Sequence, residues 1–344
     1  MKRVGFLTSG GDCQGLNATM RGVAKALYEY YGEKDVEIIG ILNGYKGLIH
    51  GDYKKMKPED FSGILSMGGT ILGTSRQPFK LMRIIGEDGI DKVACMKKTY
   101  KYLKLDCLVI LGGNGSQKTA NLLREEGCNI VSLPKTICRT CSRVLDAIHT
   151  TATSHSRIFV VEVMGHKVGW LTLYAGVAGG ADVILLPEIP YSVDNIVKKI
   201  EERERNGKHF TVIAMAEGAV PKEVAELSKK DRKAAVMAQP NGTFTSQLAA
   251  QIQEKTGHET RITVPGHMQR GGETCPYDRF LSTSFGAAAA QLIIEEKYGN
   301  MVALQGDKIV PVPLEEVAGK LKTVPVDCDE IKCARAVGIS FGDN

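Results

Sequence analysis

The chain has 344 residues, 43% hydrophobic and 24% charged, so it can bury a sizeable interior and is not a disordered protein. Its 44 basic and 39 acidic residues give a net charge of +5, and because the basic residues are scattered, nucleic acid is not expected as a partner. No uncharged apolar stretch is long enough to cross a bilayer and the first residues do not resemble a signal peptide, so we expect a cytoplasmic protein with no membrane partner.

The nine cysteines are spread from Cys13 to Cys333 without a repeating framework, which is typical of reduced thiols in a reducing compartment. One pair, Cys138 and Cys141, has CxxC spacing. A redox or zinc site would be expected to have a second pair or histidines at ligand spacing, and the sequence shows neither. We therefore interpret this pair as incidental.

Short apolar runs that end near glycine alternate with amphipathic stretches along the chain. The predicted buried strands are VGFLTSGG, VEIIGIL, DCLVILGGNGS, NIVSLP, RIFVVEVMG, DVILLPE, FTVIAMAEG and RITVPG. Residues 17–31 place Met20, Val23, Ala24 and Leu27 on one helical face. The alternation predicts an α/β protein with mainly parallel, doubly wound sheets, and the length suggests two lobes. Ligand-binding residues should then directly follow the strands.

Two glycine-rich loops follow predicted strands. The first runs from Thr8 to Asn17 and precedes a helix, where free backbone amides and the helix dipole favour a phosphate; a tight structural turn is the alternative. The second, Gly112 to Ser116, precedes a helix predicted to begin near Gln117, with Ser116 as its cap. Neither loop fits the Walker A or the GxGxxG pattern, so P-loop and dinucleotide-binding functions are disfavoured.

Two further segments carry basic residues suited to phosphate. Gly68 to Arg76 ends in an arginine whose planar fork can close over a polyphosphate, although a surface arginine is an equal alternative. A later cluster is typical of a receptor for a phosphorylated substrate, and it comprises Arg261, His267, Gln269 and Arg270. Arg157 and Glu217 add a donor and an acceptor for sugar hydroxyls.

The ordered motifs GGDxxGxN, GGTxLGTSR, GGNGS, LPKTI, SHSRIFVVEVMG, AEG and ETRxTVPGHxQRGG resemble those of the 6-phosphofructokinases over nearly the whole chain. The resemblance implies two Rossmann-like lobes. Residues 1–138 plus about 270–315 would bind the phosphoryl donor, and residues 139–269 plus about 316–344 would bind the sugar phosphate. It also implies Mg²⁺-dependent phosphoryl transfer from ATP or pyrophosphate to the 1-hydroxyl of fructose 6-phosphate in glycolysis, giving fructose 1,6-bisphosphate.

The resemblance also implies roles for individual residues. Those matched to the donor site are Gly10, Arg76, Gln77, Gly113, Asn114, Gly115 and Ser116, with Asn114 near the metal. Those matched to the sugar phosphate are Thr136, Arg157, Met164, Gly165, His166, Glu217, Arg261, His267 and Arg270. Arg76 and Thr136 match catalytic positions. In the family Arg157 and Arg261 reach the sugar phosphate of a neighbouring subunit, which implies self-association as a dimer or tetramer.

The chain departs from the family directly after LPKTI. The family continues with an Asp-Asn-Asp run that supplies the catalytic base, whereas this chain proceeds to Cys138 in the base position, and Asp146 matches only a later helix position. Loss of a general base predicts a rate about 10² to 10⁴ lower. Three explanations stay open: a deletion in a kinase gene, a non-catalytic paralogue, or a replacement base elsewhere.

The residues that select the phosphoryl donor match family members that use different donors. Asn114 stands where the family usually has aspartate, and its neutral oxygen should hold Mg²⁺ less strongly. Gly115 matches members that use nucleotides, whereas Lys135 matches the lysine of pyrophosphate users. We favour ATP, because a lysine can contact a phosphate of either donor, and pyrophosphate remains the alternative.

Overall fold

The computed structural model describes residues 1–87, 89–135 and 139–344, with the side chains of residues 139 and 140 left out. Thr136, Ile137 and Cys138, on which the prediction of the altered base position depends, lie outside the described residues. The chain divides into two compact units. Unit 1 comprises Met1–Ile137 and Arg270–Leu321, and unit 2 comprises Cys138–Gln269 and Lys322–Asn344.

Unit 1 is built on a seven-stranded sheet with the order β11-β10-β5-β4-β1-β2-β3. Its strands are β1 Lys2–Ser9, β2 Val36–Ile41, β3 Tyr53–Met56, β4 Cys107–Gly112, β5 Ile130–Leu133, β10 Asn300–Gln305 and β11 Lys308–Pro313. The five inner strands are parallel, and the two outermost strands, β3 and β11, pair antiparallel with their neighbours. The carboxyl ends of β1 and β4 are therefore adjacent, which brings the loops that follow them together.

Helices cover both faces of this sheet. They are α1 Leu16–Tyr31, α2 Tyr45–His50, α3 Lys92–Tyr102, α4 Asn114–Glu125, α11 Pro276–Ile294 and α12 Leu314–Val317. Alternate residues of β4 enter different cores: Val109 packs on the face covered by α1 and α11, and Ile110 on the opposite face. The strand is buried on both sides because its sequence is continuously apolar rather than alternating.

Unit 2 is built on a smaller, wholly parallel sheet with the order β7-β8-β6-β9. Its strands are β6 Ile158–Val163, β7 Val183–Leu185, β8 Thr211–Ala216 and β9 Thr260–Thr263. Its helices are α5 Arg139–His155, α6 Trp170–Ala178, α7 Val193–Arg205, α8 Lys222–Ala225, α9 Lys229–Met237, α10 Thr245–Thr256 and α13 Asp329–Ala336. Phe159 and Val160 of β6 enter opposite cores, so this sheet too is covered on both faces.

The α/β class with mainly parallel, doubly wound sheets is confirmed, and each of the eight predicted strands is present. The helix predicted over residues 17–31 is α1, with Met20, Val23, Ala24 and Leu27 buried. Among the described residues, no helix combines the length and the apolar character needed to span a bilayer.

Candidate functional site

The loop after β1 is shaped by a glycine. Gly10 has a φ of +82°, a left-handed conformation that side chains other than glycine rarely adopt. Its N–H donates to Ser75 O at 3.2 Å, and its carbonyl accepts from Thr74 Oγ1 at 2.7 Å. The glycine-rich segment that ends at Arg76 is therefore hydrogen-bonded to the first loop.

The next two carbonyls of this loop each accept a hydrogen bond from a cation. Lys135 Nζ donates to Gly11 O at 2.6 Å, and Arg270 Nη1 donates to Asp12 O at 3.0 Å. A Cβ at Gly11 would lie 2.4 Å from Arg270 Nη1, so the guanidinium packs directly on the glycine backbone. The two side chains thus hold the loop by its carbonyl oxygens.

Positive charge accumulates around this loop. Burial lowers the pKa of Lys135, and repulsion from Arg270 and Arg76 lowers it further, while Cys13 and Asp12 raise it. Among the described residues, Arg270 Nε is buried without a hydrogen-bond partner. An anion at this position would supply the missing negative charge and acceptors.

The loop after β4 lies beside the first one. A Cβ at Gly10 would lie 3.6 Å from both Lys135 Nζ and Ser116 Oγ, and one at Gly113 would lie 3.6 Å from the same ammonium. Outside the backbone of its own helix, no heavy atom of the described residues would lie within 4 Å of a Cβ at Gly115. The lysine therefore lies between two glycine-rich loops, and the described residues leave open space at the second.

The prediction that Ser116 caps a helix beginning near Gln117 is wrong. Helix α4 begins at Asn114, with Gly113 as its N-cap residue in an extended conformation. Ser116 lies inside the first turn, and its Oγ donates to Ser9 O at 3.3 Å. The glycines let β4 pass into helix within two residues, so the first amides of α4 lie nearer to β4 than predicted.

The remaining donor-site candidates lie at the rim of this region. Asn114 is half-buried, and its Nδ2 donates to Lys320 O at 2.7 Å. Arg76 is exposed and Gln77 half-buried. Within the described residues no three His, Cys, Asp or Glu side chains are grouped as metal ligands.

Sequence reasoning assigned no role to Asn17, which is fully buried in the first turn of α1. Its Nδ2 donates to Met67 O at 3.0 Å and to Gly68 O at 3.3 Å, and its Oδ1 accepts from Ile71 N at 2.9 Å. Asn17 thereby fixes the glycine-rich segment before Arg76. The signal was the asparagine in GGDxxGxN, a polar residue on an otherwise buried helix face.

In unit 2 the turn after β6 is held by a carboxylate. Glu217, directly after β8, accepts at Oε1 from the backbone N–H groups of Gly165 at 3.3 Å and His166 at 2.6 Å. His166 has a positive φ of 56°, and its side chain is exposed. Parallel pairing of β6 and β8 brings these candidates together.

Arg157 and Arg261 lie at the other end of β6. Arg157 directly precedes the strand and the turn at Met164 directly follows it, so six strand residues, about 20 Å, separate them. Both arginines form ion pairs with one carboxylate, that of Glu259. These ion pairs lower the pKa of Glu259, the hydrogen bond from Arg157 contributing most. The two arginines therefore lie at the opposite end of β6 from the turn at Met164.

The late basic cluster is divided between the units. His267 is exposed within the 3₁₀ turn Gly266–Arg270, whereas Arg270 belongs to unit 1. Gln269 is only 1% exposed and bonds the backbone of Met164. Asp146 lies on α5, as the sequence predicted, and its side chain is exposed.

The family described as Phosphofructokinase matches this chain over residues 3–139 and 138–293. A relative from Spirochaeta thermophila, named ATP-dependent 6-phosphofructokinase, is 50% identical over 358 aligned positions, covering 98% of this chain and 97% of that protein. ATP-dependent 6-phosphofructokinase 3 of Bacteroides thetaiotaomicron is 44% identical, covering 99% of this chain and all of that protein.

Solved structures share the fold. Phosphofructokinase from Pichia pastoris in the T-state superposes with a TM-score of 0.76 at 32% identity, over 92% of this chain but only 35% of that longer chain. A pyrophosphate-dependent phosphofructokinase from Marinobacter aquaeolei gives a TM-score of 0.75 at 19% identity, covering 97% of this chain and 90% of that chain. The second likeness concerns the fold alone.

The comparisons also bear on the segment after Ile137. The family match is in two parts that meet at residues 138 and 139. The alignment with the Spirochaeta thermophila relative is longer than this chain, so it includes gaps in this chain.

Proposed function

Because this chain belongs to the phosphofructokinase family, we propose that it transfers a phosphoryl group from ATP to the 1-hydroxyl of fructose 6-phosphate, as a cytoplasmic step of glycolysis. The names of the relatives from Spirochaeta thermophila and Bacteroides thetaiotaomicron support ATP as the donor. The product is fructose 1,6-bisphosphate.

One observation in the structure carries the proposal: cations converge on the loop after β1. Lys135 and Arg270 bond successive carbonyls there, and Arg76 is close enough to lower the pKa of Lys135. Such a concentration of positive charge suits a polyphosphate, since phosphoryl transfer depends on positioning and on neutralising charge.

In this proposal the donor lies along the carboxyl ends of β1 and β4. The residues that hold it are Gly10, Arg76, Gln77, Gly113, Asn114, Gly115 and Ser116. The first amides of α4 face its phosphates, and Arg76 offsets the charge of the transferred group. The open space at Gly115 admits the nucleoside part that distinguishes ATP from pyrophosphate.

The sugar phosphate is assigned to the ends of β6, β8 and β9. The residues assigned to it in unit 2 are Arg157, Met164, Gly165, His166, Glu217, Arg261 and His267, and the family resemblance adds Thr136 and Arg270. Since Arg157 and the Met164 turn lie at opposite ends of β6, each sugar site requires arginines from a second copy of the chain. We therefore propose a homo-oligomer, either a dimer or a tetramer.

The donor set fits a Mg²⁺ ion that arrives with ATP. Asn114 can offer one amide oxygen, and no acidic cage surrounds it in the described residues, which suits an ion bound mostly by phosphates and water. When bound, Mg²⁺ neutralises phosphate charge. Asn114 would hold it more weakly than a carboxylate.

Turnover is expected to be slow, because the segment that supplies the catalytic aspartate is shortened. The split family match and the gaps in the alignment support this shortening. Without a positioned base the hydroxyl proton must pass to water or to another group, at a cost of about 10² to 10⁴ in rate.

A coupled assay with ATP, and separately with pyrophosphate, tests the proposal. Turnover with ATP and fructose 6-phosphate is expected to be low and to increase when Asp-Asn-Asp is inserted after Ile137, which restores the Asp-bearing TIDND segment. Absence of fructose 6-phosphate binding and of turnover in both proteins would refute the proposal.

The shortened segment also favours a second candidate, a homologue that binds nucleotide or sugar phosphate without catalysis and acts on an active partner. Measurable affinity for both ligands with no turnover, before and after reinsertion, would support it. Lys135, between the two loops, keeps a pyrophosphate-dependent kinase as the third candidate, and turnover with pyrophosphate alone would identify it.

A further inference from the structure

Three successive backbone N–H groups after β6 are bound by only two side-chain oxygens. Met164 N–H donates to Gln269 Oε1 at 3.0 Å, and those of Gly165 and His166 donate to Glu217 Oε1. The acceptors come from different places in the chain, 52 and 105 residues beyond the turn. The conformation of the turn therefore depends on long-range partners.

The Gln269 side chain is held by bonds at both ends of its amide. Its Oε1 also accepts from Cys141 Sγ at 3.1 Å, and its Nε2 donates to Glu162 O at 3.4 Å. A flipped amide would place N–H groups against the Met164 N–H and an oxygen against a carbonyl, so the network fixes its orientation. The side chain is only 1% exposed, so breaking these bonds would leave buried polar atoms unsatisfied, at a cost in folding free energy.

The turn needs such support because its backbone is unfavourable on its own. His166 has a φ of +56°, a region that costs energy for a residue other than glycine. Glu217 binds only part of the turn: it accepts from the N–H groups of Gly165 and His166, whereas the N–H of Met164 donates to Gln269.

We propose that Gln269 is a positioning residue for the Met164–His166 turn, which it fixes at the end of β6 for contact with the sugar. It acts through the turn and does not itself contact the reacting atoms. The role of the turn in sugar binding rests on the proposed function, whereas the hydrogen bond that holds the turn does not.

The first test measures amide hydrogen exchange in the ligand-free, full-length protein. In Q269L the Met164 N–H loses its acceptor, so exchange at residues 164–166 should accelerate at least about fivefold, which corresponds to about 1 kcal/mol. Q253L is the matched control: Gln253 Oε1 also accepts a backbone N–H in unit 2, that of Thr260 at 3.1 Å. It should leave exchange at the turn unchanged.

Two further variants keep the inference testable. Q269E retains an oxygen for Met164 N–H and, in the neutral form that such burial favours, an O–H donor for Glu162 O, so it should keep the turn protected. Q269N withdraws the oxygen by one methylene and should behave like Q269L, and it replaces that variant if leucine prevents folding. Equal exchange at the turn in wild type, Q269L and Q269N would overturn the inference, as would an equal acceleration in Q253L.

Ligand binding separates this inference from the proposed function. Calorimetry with Q269L should show affinity for fructose 6-phosphate reduced at least about fivefold and ATP affinity unchanged. Equal losses for both ligands would overturn the positioning role. If exchange at the turn accelerates as expected while even the wild type binds no fructose 6-phosphate, the proposed function fails and the role of Gln269 in holding the turn stands.

Discussion

Replacing Gly115 by alanine should stabilise the protein and weaken ATP binding at the same time. Gly115 is the second residue of α4, and a Cβ there would meet no atom of another described segment within 4 Å. Alanine is favoured over glycine in a helix by up to about 1 kcal/mol, and we expect about 0.5 kcal/mol in this first turn. In a unit of this size that corresponds to a rise of about 1–2 °C in the unfolding temperature.

The same methyl group would occupy the space assigned to the nucleotide. ATP at one hundred times its Kd stabilises a protein by about 2.7 kcal/mol, and a tenfold loss of affinity removes about 1.4 kcal/mol of that. The gain of about 0.5 kcal/mol does not offset this loss. Without ligand, G115A should therefore unfold at a higher temperature than wild type, and with ATP it should unfold at a lower temperature than wild type.

Thermal unfolding with no ligand, with ATP and with pyrophosphate measures both effects. Because pyrophosphate lacks the nucleoside, G115A should still unfold at a higher temperature than wild type when pyrophosphate is bound. G11A is the contrasting variant, because its Cβ would lie 2.4 Å from Arg270 Nη1 and should lower stability without any ligand. The reasoning is refuted if ligand-free G115A unfolds below wild type, or if ATP stabilises both proteins equally.

Three other substitutions test charges in the two units. Burial lowers the pKa of Lys135 below its unfolded value of 10.5, so the unfolded chain binds more protons and wild-type stability should rise as the pH approaches 10.5. In urea titrations between pH 7 and 10, the free energy of unfolding of K135M should rise less with pH than that of wild type. An equal rise in the two proteins would contradict this. N114D places a carboxylate near the metal and should lower the Mg²⁺ concentration needed for ATP binding severalfold, whereas an unchanged Mg²⁺ titration would argue against a metal contact. E259Q frees Arg157 and Arg261 and should tighten fructose 6-phosphate binding by at most about fivefold at low salt, and an effect that persists in 0.5 M salt would not be electrostatic.

The inner strands were predictable because burial on both faces requires a continuous apolar run. Strands β4 and β8 have every residue buried, and their sequences contain no charge. Strands β3, β10 and β11 were not predicted. The outer strands β3 and β11 are partly exposed and carry lysines or prolines, and the inner strand β10 has only one fully buried residue, Val302. An edge strand needs only one neighbour, so its sequence leaves a weaker signal.

Much of the candidate site followed from one topological rule, that ligands bind beyond the carboxyl ends of parallel strands. The rule located the loops after β1 and β4 and the turn after β6. It could not identify their partners: Lys135 lies 124 residues from Gly11, and Gln269 lies 105 from Met164. Such pairs form only when the chain has folded, and no local pattern records them.

Arg157 and Glu217 lie at opposite ends of β6, and this placement determines which sugar sites of the proposed oligomer are affected when each residue is substituted. In a dimer of one R157A chain and one E217A chain, both lesions would fall on the same sugar site. The other site would combine the intact arginine with the intact carboxylate. Two separately defective chains would thus form one sound site when mixed, whereas a chain carrying both lesions would impair both sites of any mixed dimer that it joined.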